Sequence, residues 1–135
     1  MRVVQWDETL SVGNAEIDKD HQALFELLDQ LRTAVREGQT EKVRLGILSE
    51  LVRRTQAHFA LEESVMTRIA YAEAQAHRAE HGKLMAQVRE LQDKVAQGDL
   101  SLSLSVFQFL YGWLARHIEV KDRPLGQASR MHSEP

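Results

Sequence analysis

No proline precedes Pro124. Proline is the strongest breaker of a helix interior, so everything before that point is free to form long helices. The apolar residues are spaced for them. Ile17, His21, Leu24, Leu28, Leu31 and Val35 recur at intervals of three and four, one face of a helix over about residues 17–37, with Gly38 placed to end it. After Thr40, a suitable N-cap, the stripe Val43, Ile47, Leu51, His58, Glu62, Val65 and Ile69 predicts a second helix. His77, His81, Leu84, Val88, Leu91 and Val95 predict a third, closed by Gly98. Val106, Leu110, Trp113, Leu114, His117 and Ile118 predict a fourth, although the alternating Ser/Leu run at 101–105 fits a strand by pattern alone. Four helices with short links pack most simply as an all-α, antiparallel up-down-up-down bundle. Residues 1–15, with Trp6 and Val12, form an N-terminal arm across one end, and the polar stretch 126–135 reads as a flexible tail.

A chain of 135 residues fits one domain spanning 1–135 and can bury a core without disulfides or a partner. It has no cysteine, so any metal must be held by nitrogen and oxygen. A net charge of −3, with both signs intermixed, supplies no positive field for nucleic acid or anionic lipid. The amino end lacks the apolar core of a signal peptide and no run reaches membrane-spanning length, so the expectation is a cytoplasmic protein without a nucleic-acid or membrane partner.

The four stripes share one anomaly: each is interrupted by polar residues at positions that should face the core. His21 lies on the first, His58 and Glu62 on the second, His77 and His81 on the third, and His117 on the fourth. An unpartnered buried polar group costs about 1–3 kcal/mol, so about six of them would consume much of a stability of about 5–15 kcal/mol. Something must satisfy them together. His58 and Glu62, like His77 and His81, are four residues apart, so each pair stacks on one helix face and can chelate. Five imidazoles and a carboxylate suit iron, zinc, copper or nickel. A single histidine on an apolar face is more often a hydrogen-bonded core residue, and a lone H-x-x-x-H is common; the coincidence on four stripes is what argues for metal. Asp122 does not follow from this logic, since five residues place it about 140° from His117 on a regular helix, and only a wide or unwinding turn near Pro124 would bring it inward. His132 lacks a partner at helical spacing and reads as solvent-exposed, while Phe107, Phe109 and Trp113 read as packing.

These residues resemble the bacterial hemerythrins from Trp6 to Gly126. The resemblance rests on Trp6-Asp7, Ser11-Val12-Gly13, Ile17-Asp18-x-Asp20-His21-Gln22, His58-Phe59-x-x-Glu62-Glu63-x-x-Met66, Tyr71, His77-x-x-x-His81 and Trp113-Leu114-x-x-His117-Ile118-x-x-x-Asp122-x-x-Leu125-Gly126. It implies two iron ions with an oxo or hydroxo bridge, one held by His77, His81 and His117, the other by His21 and His58, with Glu62 and Asp122 bridging. It implies reversible binding of dioxygen at the less-coordinated iron, in an oxygen carrier and not an enzyme. Leu114, one turn before His117, and Ile118, one turn before Asp122, are the candidate walls of an apolar oxygen pocket. The alternatives are a redox enzyme acting on peroxide or nitric oxide, for which no proton donor is identifiable, and an oxygen or redox sensor whose protein partner is unknown. Two positions depart from the family pattern: Ala72, where proline often follows the tyrosine, and Pro124, close after Asp122. The first implies a longer or looser link, the second an altered presentation of Asp122.

Overall fold

The structure, a computed structural model, describes residues 6–133; residues 1–5 of the arm and 134–135 of the tail lie outside it. Four long helical rods form the antiparallel bundle: α1 (Ala15–Arg36), α2 (Glu41–Arg68), α3 (Ala74–Ala96), and a fourth that runs without a break through α4 (Leu104–His117), a π-helical segment (Ile118–Asp122) and α5 (Arg123–Ser133). Among the described residues, no helix is long and apolar enough to cross a membrane.

Local chemistry sets the boundaries. The side chain of Asn14 accepts from the backbone N–H of Glu16 and of Ile17, that of Thr40 from Val43, and that of Ser103 from Val106, each filling donors that a helix start leaves unpaired. Gly38 and Gly98 follow α1 and α3 with φ of 66° and 81°, the left-handed turn that closes a helix and favours glycine. Ala70 takes the same role after α2 at φ 51°, while the Tyr71 N–H reaches back to the Met66 carbonyl at 2.9 Å. The strand pattern of 101–105 gives way to the Ser103 cap, with Leu102 fully buried just before α4.

Four sequence expectations need correction. Phe109, read as packing, is 50% exposed, whereas Phe107 is buried. The buried face of α2 begins at Leu48 and continues through Leu51, Val52 and Thr55, whereas Val43 is 43% exposed. Each four-residue step advances about 40° around a helix, so Val43 lies about 80° from Leu51. Next, α1 starts two residues before the first stripe position, at Ala15, because Asn14 caps it. Finally, the stretch from Gly126 is helical to Ser133. Pro124 occupies the first turn of α5, where a missing N–H costs little, and Leu125 and Ser129 are buried.

The arm is held against the bundle by specific bonds. Asp18 accepts from the Ser11 hydroxyl at 2.6 Å and the Val12 N–H at 2.9 Å. Arg123 donates to the Thr9 carbonyl at 2.7 Å, and the Asn14 amide donates to Ser129 Oγ at 3.0 Å. Val12 is thereby buried as a member of the hydrophobic core.

Candidate metal centre

The five histidines and Glu62 singled out on the stripes, and Asp122, are buried in the interior. They converge in two overlapping groups: Glu62, His77, His81, His117 and Asp122, and His21, His58, Glu62 and Asp122, each with potential ligand atoms within 4.8 Å of one another. Glu62 and Asp122 belong to both, and each turns one oxygen to each group. Glu62 Oε1 lies 2.9 Å from His81 Nε2 and 3.4 Å from His77 Nε2, while Oε2 lies 2.9 Å from His58 Nε2. Asp122 Oδ1 lies 3.0 Å from the Nε2 atoms of both His77 and His117, and Oδ2 lies 2.9 Å from His21 Nε2.

The π-helical segment explains Asp122. Wider winding between Ile118 and Asp122 lets the Arg123 N–H bond to the Ile118 carbonyl, five residues back, and absorbs one extra residue in the turn. Asp122 therefore returns to the face of His117. Pro124 follows directly, at a place where the regular ladder is already interrupted.

Several of these atoms are close without being hydrogen-bonded. His58 Nε2, Glu62 Oε2 and His117 Nε2 are buried with no hydrogen-bond partner among the described residues, although His58 and Glu62 approach to 2.9 Å. The Nε2 atoms of His21, His77 and His81 do meet carboxylate oxygens at 2.9–3.0 Å, so the cluster pairs its charges in part and leaves the other three atoms unpartnered in the same interior, as a metal site would. Nitrogen and carboxylate oxygen without thiolate suit a first-row metal such as iron. The arrangement fits a metal pair spanned by two carboxylates.

Two acids outside this set touch it. Asp20 Oδ2 is 2.9 Å from His58 Nδ1, and Glu63 Oε2 is 3.1 Å from His81 Nδ1. Phe59 stacks on the His81 ring at 3.8 Å between centroids. Sequence spacing assigned no role to these three, since none lies on an interrupted stripe; the adjacency of acid and ligand in Asp20-His21 and Glu62-Glu63 was the available signal. Leu114 and Ile118 are both buried in the core. His132 is exposed, on α5.

The charges are interdependent. Burial favours the neutral form of His117, but Asp122 and Glu62 outweigh it and raise its pKa to about 9; His77 is raised for the same reasons. Burial and the Glu62 charge would raise Asp122, yet His117, His21 and His58 hold it well below the usual carboxylate range. A histidine pKa lifted from 6.5 to about 9 on folding contributes stability that is complete below pH 6.5 and is lost as pH rises through 9. The lowered carboxylates contribute stability that is lost only in acid. The metal-free chain should therefore melt at progressively lower temperature from pH 6.5 to 9, as calorimetry after chelation would record. A flat profile over that interval would contradict the ion-paired core. Metal uptake displaces the same protons, so it should strengthen with rising pH.

Residues 12–128 match the family described as Hemerythrin HHE cation binding domain. A bacteriohemerythrin of Ralstonia nicotianae is 32% identical over 123 residues, covering 91% of this chain and 86% of that protein. One of Stenotrophomonas maltophilia is 27% identical over 133 residues, covering 98% and 85%. A crystal structure of wild-type hemerythrin is similar with a TM-score of 0.89 at 26% identity, covering 95% of this chain and 98% of that one.

Proposed function

Since the chain belongs to the hemerythrin family, we propose that it holds two iron ions in this cluster and binds dioxygen reversibly at one of them, as a carrier or store and not as an enzyme. The observation that supports this most directly is the division of the carboxylate oxygens, one of each acid facing each histidine group. In this reading His77, His81 and His117 hold one ion, His21 and His58 the other, and Glu62 and Asp122 span both. Two ferrous ions held by these residues would supply the electrons for reversible binding of dioxygen.

The remaining work falls to the side chains. The His21 and His58 side offers one imidazole fewer, which leaves room there for a small ligand. Leu114 and Ile118, both buried, are the candidates in this reading for an apolar wall there that would exclude competing water. Their burial would also keep bulk protons from the centre. Five neutral imidazoles against two carboxylates make the donor set less anionic than a carboxylate-rich one, which favours reversible binding over oxidation chemistry.

Anaerobic reconstitution with ferrous iron, followed by optical spectra through cycles of air and vacuum, tests the proposal. Two irons per chain and a visible charge-transfer band that appears in air and vanishes on deoxygenation are expected. Immediate conversion to a stable ferric form indifferent to oxygen would replace the carrier reading with that of a redox enzyme or sensor.

A further inference from the structure

Three helices carry an acid immediately next to a buried member of the centre, Asp20 beside His21 in α1, Glu63 beside Glu62 in α2 and Glu80 beside His81 in α3, and the first two reach a histidine of another helix. Consecutive helical residues point about 100° apart. With His21 and Glu62 facing the interior, Asp20 and Glu63 therefore face the seams with the next helix. Across the α1–α2 seam Asp20 Oδ2 accepts from His58 Nδ1 at 2.9 Å, and across the α2–α3 seam Glu63 Oε2 accepts from His81 Nδ1 at 3.1 Å. The acids stand at the rim, 39% and 36% exposed, while their histidines are buried. The Nδ1 atoms of His21, His77 and His117 have no such partner among the described residues. One histidine in each group is thus tethered from outside, and no more than one.

We propose that Asp20 and Glu63 are positioning residues that each serve one metal: Asp20 the His21 and His58 side, Glu63 the side of His77, His81 and His117. The inference rests on the two-metal reading given above. An imidazole whose Nδ1–H is committed to a carboxylate keeps its Nε2 lone pair free and its ring plane fixed, so the ligand atom is presented to the metal in one tautomer and one orientation. The two tethers are not of equal weight. His81 is one of three imidazoles and is already clamped by the Phe59 ring at 3.8 Å. His58 is one of two, meets His21 edge-on, and lies tilted at 6.1 Å from the Phe59 ring where His81 stacks on it. Loss of Asp20 therefore costs its metal more than loss of Glu63 costs the other.

Titration of the metal-free chain with Co(II) under nitrogen, followed by calorimetry and visible absorption, reads the two sites without any oxygen chemistry. Wild type takes up two equivalents. Asp20→Ala weakens one equivalent by about 10- to 100-fold and spares the other, and Glu63→Ala weakens one equivalent by a smaller factor, the range typical of acids that orient metal-bound histidines. Asp20→Asn, whose amide oxygen still accepts from Nδ1–H, recovers most of the lost affinity. Nitrogen-15 spectra of the Zn(II)-loaded variants assign the loss, with the ring signals of His58 moving in Asp20→Ala and those of His81 in Glu63→Ala. Two equivalents bound with wild-type affinity in both alanine variants, or equal weakening of both equivalents in either, overturns the inference while leaving the two-metal reading intact. Uptake of fewer than two equivalents by wild type removes that reading and the inference with it.

Discussion

Glu62→Gln should lose metal by more than about 100-fold in affinity, beyond the 10- to 100-fold range of acids that merely orient a ligand. Glu62 is fully buried and its two oxygens face different histidine groups, Oε1 towards His81 and His77 and Oε2 towards His58. Burial would favour protonation of this side chain, but His117, His21, His58 and His77 hold its pKa well below the usual range, so it is a carboxylate in the metal-free chain. Glutamine has the same outline and keeps one oxygen. It puts an NH2 group, which has no lone pair to give, where the other oxygen was, and it removes a unit of charge that offsets the metal ions. One half of the centre loses a ligand and both halves lose electrostatic support. His132→Ala is the matched control, since His132 is exposed on α5. Metal content of the two variants after dialysis, set against wild type, provides the test; equal retention by both would sink the assignment of Glu62.

The second large effect concerns stability. A methyl group at Gly126 would lie 1.9 Å from the Val12 carbonyl oxygen and 2.7 Å from its carbon. Both are backbone atoms, so no rotamer change relieves the clash and the arm must move. Movement strains the Val12 and Ser11 bonds to Asp18 and unseats the buried Val12 side chain. Gly126→Ala should therefore cost about 3 kcal/mol, the upper part of the usual range for overpacking, which for a domain of this size lowers the melting temperature by roughly 10 °C. Gly112→Ala is the control within the same rod: its added methyl meets nothing within 4 Å, and exchange of a helical glycine for alanine is worth about 0.5–1 kcal/mol in the stabilising direction. Comparable melting of Gly126→Ala and wild type would mean that the arm does not cross α5 where the structure places it.

The bundle and most of its polar interior were legible in the sequence because helical periodicity and burial are local properties. His21, His58, Glu62, His77, His81 and His117 stand at stripe positions that only a shared interior could hold, and the structure brings them together. Asp122 was visible only through family resemblance. Spacing arguments assume 3.6 residues per turn, and the widened winding at Ile118–Asp122 breaks that assumption at the place where it matters. The helical end of the chain was hidden for a related reason. Pro124 and Gly126 look like helix breakers in sequence, but one sits where its missing N–H is harmless and the other is there to admit the Val12 backbone. The second depends on a contact between segments more than a hundred residues apart, to which no local pattern gives access.

The irregular turn also limits how this centre can be transplanted. A designer who builds an idealised bundle from straight rods, keeping these residues in their order and spacing, would present six of the seven candidate donors to the interior and turn the last carboxylate outward. The five residues Ile118–Asp122 are as much a component of the site as the side chains that line it, and a graft must carry that stretch of backbone whole.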